Sequence, residues 1–408
     1  VSGRDRDKAA LVRVDLATGA EDVLVEDPDE DILDVFNLDP HDGVIDAVFT
    51  HVGQSEIRAL TPRGETFARL VHSKADRVEV DGTFWAGDGR YVTATLSPDA
   101  LNYSYHLFDL DTGNETQLGT FSFRQKHGSS LVRTDEVTIP ARDGTQLHGL
   151  LVQPQGVTDP APLMIEVHGG PALHLSWEYH HFRQFLANRG YAVLAVNFRG
   201  STGFGQEFQS KGFGQYGRAM QDDLVDAASW AVAEGIADPD AIGITGGSYG
   251  GYASAMAMVR DGDVFKAGVV EHAVLDVAYQ MRNNPFAWGL SSEYTTRYFG
   301  DTDNAEDLAV MEDLSPMNRV EDLMGPVLVV AGKRDAIVGF EQSEEFLRRA
   351  EEAGKTVDQL IFEDEGHGIG RWQNRIRHAR AVEDFLAEHL GGRSGGWDWI
   401  ELAVEYLD

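Results

Sequence analysis

Gly246-Gly247-Ser248-Tyr249-Gly250 is a Gly-x-Ser-x-Gly pattern. A serine hydroxyl is a weak nucleophile until a neighbouring base takes its proton. Ala241-Ile242-Gly243-Ile244-Thr245 reads as a buried strand before the pattern, and Tyr252 to Val259 as a helix after it. A serine on so tight a strand-to-helix turn has its Oγ lifted above the sheet, and small flanking residues let neighbouring chain pass close by. The same pattern recurs at Gly392-Arg393-Ser394-Gly395-Gly396. There it follows a helix inside a glycine-rich stretch, and it reads as linker.

The base and its orienting acid are expected in the order serine, acid, histidine. Asp335 closes Gly332-Lys333-Arg334-Asp335, just past the apolar run Pro326-Val327-Leu328-Val329-Val330-Ala331. His367 stands in Glu365-Gly366-His367-Gly368, just past Leu360-Ile361-Phe362. Both therefore fall at carboxyl ends of strands, where ligand crevices form. Alone, each is an ordinary turn or loop residue. In this order, each after a strand, the three read as a catalytic triad.

Acyl transfer also needs N–H groups aimed at a developing oxyanion. The segment Val167-His168-Gly169-Gly170-Pro171 follows a candidate strand, and its glycines let backbone approach closely. The expected donors are the N–H groups of Tyr249 and Gly170, with Gly169 as the next choice for the second. His168 precedes Ser248 in the chain and reads as a structural loop residue. His174, His180 and His181 lack the spacing of a zinc motif and read as rim or surface. The chemistry is acyl transfer to Ser248 and then to water, with no metal or organic cofactor implied.

Elements that would position these residues follow from periodicity. Candidate strands span 134–140, 146–152, 162–168, 191–197, 241–246, 267–272, 326–332 and 358–363. Several are continuous apolar runs, as expected of strands buried on both faces of a parallel sheet. Candidate helices lie between them at 178–189, 219–234, 249–260, 341–353 and 370–389. The alternation predicts an α/β-hydrolase-type domain over 126–390, doubly wound on a mostly parallel eight-stranded sheet.

Residues 1–125 read differently, as short alternating strands broken by turns. Asp15-Leu16-Ala17-Thr18-Gly19 is echoed by Asp109-Leu110-Asp111-Thr112-Gly113, with Leu60-Thr61-Pro62-Arg63-Gly64 between them. Asp42-Gly43 recurs as Asp88-Gly89. A period near 45 residues suits four-stranded propeller blades. The segment holds about three, whereas closed propellers have about four to eight. This predicts a partial propeller whose N-terminal blades are missing, or one completed by another chain. Residues 391–408 read as a linker and a C-terminal tail, Trp397 to Asp408.

Composition narrows the partners. Asp plus Glu number 67 against 34 Lys plus Arg, a formal net charge of -33. Nucleic-acid and anionic-membrane binders need a basic face, so both classes are disfavoured. Only 7 of the 34 basic residues are Lys. Such an excess of carboxylates reads as adaptation to concentrated salt, which screens their repulsion. Cysteine is absent, which excludes disulfides, thiolate nucleophiles and Cys-based zinc sites. The chain starts at Val1 with no charged-then-apolar leader after it, and the expected location is the cytoplasm of a salt-accumulating cell. A homo-oligomer formed through an exposed sheet edge or the tail is compatible with the sequence.

Taken together, the motifs resemble the prolyl oligopeptidase family of serine peptidases, in its acylaminoacyl-peptidase and dipeptidyl-aminopeptidase-like branch. The resemblance rests on His168 to Pro171, Asn197-Phe198-Arg199-Gly200-Ser201-Thr202-Gly203-Phe204-Gly205 and Gly246 to Tyr252. It also rests on Gly332 to Asp335 with Gln342-Ser343, and on Asp364 to Gly368. It implies that Ser248 is nucleophile, Asp335 the orienting acid and His367 the general base, with Tyr249 and Gly170 as oxyanion hole. It also implies cleavage of short peptides, releasing an amino acid, an acyl-amino acid or a dipeptide, and an N-terminal propeller that excludes folded proteins. Ile337 stands where some relatives carry a substrate-contacting Arg, and Gly339 where many carry Pro. Phe286, Trp288 and Tyr294 are candidates for an apolar substrate pocket, with core or lid packing as the other reading. The rival functions are a carboxylesterase with the same triad and a non-enzymatic propeller scaffold.

Overall fold

The computed structural model describes residues 1–37, 48–52, 56–60, 66–71, 79–86, 91–97, 101–109, 112, 114–123, 130–157, 160–283 and 292–396. Phe286, Trp288 and the tail from Trp397 lie outside them. The chain divides into two compact units. One comprises Val1–Thr134, Ser176–His180 and Thr202–Ser210; the other comprises Asp135–Leu175, His181–Ser201 and Lys211–Asp408.

The first unit is antiparallel β-structure. Strands β1 (Leu11–Val14) and β2 (Glu21–Val25) form a hairpin. Its turn is closed by the Asp15 carboxylate, which accepts the amides of Ala17 (2.9 Å) and Thr18 (2.8 Å). Gly19 completes it at φ +70°, where a side chain would be strained. Strands β3 (Ile32–Asn37), β4 (Val48–Val52), β5 (Glu56–Leu60) and β6 (Thr66–Val71) pair in chain order as a four-stranded sheet. Strands β7 (Glu79–Ala86), β8 (Tyr91–Ser97), β9 (Asn102–Asp109) and β10 (Asn114–Ser122) form a second of the same kind. The Asp42-Gly43 and Asp88-Gly89 repeats lie outside the described residues, each between the first two strands of its sheet. Asp31 holds the segment 202–210 to this unit, accepting the Gly205 amide at 2.8 Å.

The second unit is built on eight strands: β11 (Thr134–Pro140), β12 (Gln146–Val152), β13 (Ala161–Val167), β14 (Ala192–Asn197), β15 (Ala237–Gly247), β16 (Ala267–Glu271), β17 (Val327–Gly332) and β18 (Val357–Phe362). They lie in the order β11-β12-β14-β13-β15-β16-β17-β18. Every pair from β14 to β18 is parallel, and β12 runs antiparallel to β14. This is the mostly parallel α/β-hydrolase-like sheet expected from the apolar runs. All six residues of β14 and all six of β17 are buried. Each fully buried Val or Leu contributes about 1.5–3 kcal/mol of transfer free energy, so these strands anchor the core.

Helices cover the sheet with apolar stripes. In α1 (Ala219–Ala233), Met220, Leu224, Ala227 and Ala231 are buried at spacings of four, three and four, one helical face. Helix α2 (Tyr249–Arg260) is buried along Tyr249 to Val259, and its small residues allow it to pack closely on the strands. Helices at Val277–Asn283, Ser292–Phe299 and Ala305–Asp313 were not expected from the periodicity. The last buries only Met311, so it carries little apolar stripe to read. No helix among the described residues is long and apolar enough to cross a membrane.

Candidate active site

Ser248 occupies the turn between β15 and α2, half-buried, at φ +60° and ψ −117°. Positive φ is uncommon for a serine and marks a backbone held by its surroundings. The enforcement is visible in the flanking glycines. A Cβ on Gly246 would stand 2.4 Å from the Val167 carbonyl, and one on Gly250 would stand 2.1 Å from the same oxygen. A Cβ on Gly251 would lie 2.5 Å from the Glu271 carbonyl. The turn is thus clamped between the ends of β13 and β16. The Ser248 amide donates to the Glu271 carbonyl at 3.0 Å, closing it.

Tyr249 opens α2. A first-turn amide has no acceptor within its own helix, so its N–H is available to an anion. Its side chain points the other way into the core, where the ring is tilted against Phe198 at 5.5 Å. The loop after β13 lies against Ser248: a Cβ built on Gly169 would sit 3.3 Å from the Ser248 Cβ and 3.9 Å from its Oγ. Gly170 follows at φ +113°, open only to glycine.

His168 is buried beneath this loop. Its Nδ1 donates to the Gly169 carbonyl at 2.7 Å, Nε2 meets Ser201 Oγ at 2.8 Å, and the ring stacks on Phe198. Burial pushes its pKa down to about 4, so it is neutral at ordinary pH. Below it, Arg199 donates from its amide (2.8 Å) and guanidinium to Asp223, and from Nη1 to Asp143 (2.7 Å). These bonds lock the loop that carries Ser201.

Asp335 and His367 meet across the ends of β17 and β18. His367 Nδ1 donates to Asp335 Oδ2 at 2.7 Å. The other carboxylate oxygen, Oδ1, accepts the amides of Ile337 (2.8 Å) and Val338 (2.9 Å). Burial alone would raise the Asp335 carboxyl. The imidazoles of His272 and His367 and the Val338 and Ile337 amides outweigh it, leaving the group well below the usual carboxylate range. The Asp335 side chain is 2% exposed and that of His367 21%, so the acid is sealed while the imidazole reaches solvent.

Two supports of this pair were not read from sequence. Glu365 is buried and shapes the His367 loop by accepting from Gly370 N (3.0 Å), Arg371 N (2.9 Å) and Asn374 Nδ2 (2.7 Å). Gln342 accepts the amides of Leu275 and Asp276 and donates to Gln280, which in turn donates to the Ile337 carbonyl at 2.8 Å. Both lie within the motifs, but a motif does not show partners: those of Glu365 are 5, 6 and 9 residues further on, and those of Gln342 are 62 to 67 residues away.

Of the other candidates, Tyr294 lies in the helix Ser292–Phe299, but its side chain, like Phe286 and Trp288, is outside the described residues. Ser394 is exposed beyond the helix Trp372–Leu390, and its Oγ donates to Asp384. Among the described residues no cluster of three His, Asp or Glu side chains is arranged to hold a metal.

Comparison with known proteins agrees with this architecture. The model of the prolyl oligopeptidase family matches residues 177–393. The chain is 33% identical to dipeptidyl aminopeptidase BIII of Pseudoxanthomonas mexicana, over 96% of this chain and 58% of that one. It is 29% identical to dipeptidyl peptidase family member 6 of Caenorhabditis elegans, over 70% of this chain and 41% of that one. The crystal structure of a puromycin hydrolase superposes with a TM-score of 0.81 at 24% identity, over 95% of this chain and 59% of that one, a likeness of fold. The chain spans about half the length of the curated relatives it matches.

Proposed function

The chain belongs to the prolyl oligopeptidase family, and from that premise we propose that it is a serine peptidase hydrolysing short peptides through an acyl-enzyme on Ser248. The observation that carries the reading is the 2.7 Å bond from His367 to Asp335 past the ends of two neighbouring strands, in a chain whose Ser248 is held at positive φ at the end of another strand of the same sheet. His367 Nε2 takes the Ser248 proton as Oγ attacks the scissile carbonyl. Asp335 keeps Nδ1 protonated and stabilises the imidazolium that forms. The amides of Tyr249 and Gly170 hold the oxyanion, with Gly169 next in line. His367 then gives its proton to the leaving amine, and water repeats the sequence in reverse. The released group is an amino acid, an acyl-amino acid or a dipeptide, the last in keeping with the name of the Pseudoxanthomonas relative.

The same proposal assigns residues 1–125 to part of a β-propeller, 126–390 to the catalytic domain and 391–408 to a linker and tail. The strand order supports the blade reading. The segments Leu60–Gly64 and Asp109–Gly113 join the last two strands of the two four-stranded sheets, and Asp15–Gly19 joins β1 to β2. A sequence period of one blade thus coincides with a structural period of four strands. The acidic composition supports work in concentrated salt, in the cytoplasm of a salt-accumulating cell.

The test is hydrolysis of aminoacyl, acylaminoacyl and dipeptidyl nitroanilides beside a simple nitrophenyl ester, in high potassium chloride. Anilide cleavage that disappears in Ser248→Ala is the expected result. Ester cleavage alone would move the assignment to a carboxylesterase, and turnover retained by the mutant would remove the serine mechanism.

A further inference from the structure

Strand β16 ends at Glu271, and the next residue, His272, turns to φ +45°. The residue is tied in place around that turn. Its own amide donates to the Val330 carbonyl at 2.8 Å, and the Glu271 carbonyl before it accepts the Ser248 amide. The His272 ring is 6% exposed, and neither of its nitrogens makes a hydrogen bond. Nδ1 instead faces Asp335 Oδ2 at 3.7 Å, and the ring lies edge-on to His367 with centroids 5.8 Å apart. An unusual backbone conformation and a buried imidazole without hydrogen bonds are both costly. An apolar residue at this place would avoid the second cost, and glycine the first.

The Asp335 carboxylate explains why an imidazole stands here. Its Oδ1 is satisfied by two backbone amides, while Oδ2 takes the single bond from His367. A carboxylate oxygen accepts from two directions, so Oδ2 has a side left to fill. We infer that His272 is a positioning residue for the proposed triad: a second imidazole on Oδ2 of Asp335 that holds the carboxylate against rotation and shares its charge with His367. Through residues 271 and 272 the same turn ties this carboxylate to the Ser248 elbow. The contact is electrostatic at 3.7 Å. Asp335 and His367 are the titratable groups that face the His272 ring. The neighbouring Glu271 carboxylate is engaged with His378 at 3.2 Å. The inference rests on the serine-peptidase reading.

The consequence has a sign that does not depend on whether His272 carries a proton. Removing a donor or a cation from Oδ2 leaves the full carboxylate charge acting on His367. His367 then becomes the stronger base, and the acid limb of the rate profile moves to higher pH. The probe is a fluorophosphonate that labels Ser248, alongside the nitroanilide that the unmodified chain cleaves fastest, both with the full chain. His272→Leu removes the donor, and His272→Phe does so while keeping ring volume, should the leucine variant fold poorly. His272→Asn keeps an N–H near the Nδ1 position and tolerates positive φ. The donor-free variants are expected to lose kcat and labelling rate on the order of 10–100-fold, with KM within about twofold and the acid limb displaced upward. His272→Asn is expected to recover most of the loss. Donor-free variants with full kcat and an unmoved acid limb would overturn the inference, as would an asparagine variant no better than leucine. If Ser248→Ala resists labelling while His272 makes no difference, only His272 loses its role. If Ser248→Ala cleaves the nitroanilide as fast as the parent, the serine-peptidase reading itself fails.

Discussion

Ser248 and Ser394 sit in the same five-residue pattern and in opposite surroundings. Around Ser248, backbone from β13 and β16 approaches so closely that Cβ atoms on Gly246, Gly250 or Gly251 would lie 2.1–2.5 Å from carbonyl oxygens. Around Ser394 the chain is exposed. A Cβ on Gly395 would meet only flexible side-chain ends, the nearest at 3.3 Å, and one on Gly396 would meet nothing within 4 Å. Ser248 is forced to φ +60° by its clamp. Ser394 spends its hydroxyl on exposed partners, donating to Asp384 and accepting the Gly396 amide at 3.3 Å. A glycine pattern by itself is therefore only permission for close approach. What makes it an elbow is the backbone that comes close.

The largest effect expected is at the two serines. Ser248→Ala should lower kcat by on the order of a millionfold with folding unchanged, while Ser394→Ala leaves kcat as it was. Paired anilide assays would break the comparison if the two variants lost activity alike. The next effect is at the acid. Asp335→Asn should leave the loop in place but lower kcat by about ten-thousandfold, because the His367 tautomer is no longer enforced.

The same variant sharpens the contrast through stability. The folded Asp335 carboxyl is held below its ordinary value. Its contribution is therefore present above the unfolded-chain value of about 4 and lost as pH falls through the folded one. Thermal midpoints taken across the acid range should fall less steeply with pH in Asp335→Asn than in the parent. Gly250→Ala should destabilise by about 1–3 kcal/mol or more, since the atom it meets is backbone and cannot step aside. Gly395→Ala should stay within about 0.5 kcal/mol, the smallest effect of the set. Equal denaturant midpoints for the two glycine variants would mean that the elbow is not clamped as described.

Much of the site was legible because each of its parts follows a strand of distinctive composition. Val327 to Gly332 is a buried run that announces both itself and the turn after it, and Asp335 stands in that turn. Glu365 to Gly368 likewise follows β18. The parallel sheet was legible for the same reason, since strands covered on both faces are apolar throughout. The helix Ala305–Asp313 was not, because it buries only Met311 and its place depends on a cap from Asn304. His272 was not legible either. It is a lone histidine after a five-residue strand, and nothing near it in the chain hints at Asp335 or His367. Gln342 was quoted only as part of a motif, although its work is to brace the Asp335 loop through Gln280 and Ile337.

The amino-acid sequence alone determined the alternation of strand and helix, the order in which the candidate serine, aspartate and histidine follow their strands, and the carboxylate-rich composition. All of these are carried by short windows in which burial and turn chemistry leave their mark on composition. Tertiary structure alone decided which of two serines stands on an elbow, which glycines admit no side chain, and which histidines share Asp335. Those outcomes depend on β13, β15, β16, β17 and β18 lying side by side in register. Hydrogen-bonded pairing between strands far apart in the chain brings carbonyls and imidazoles within a few ångströms, and no local pattern encodes that distance.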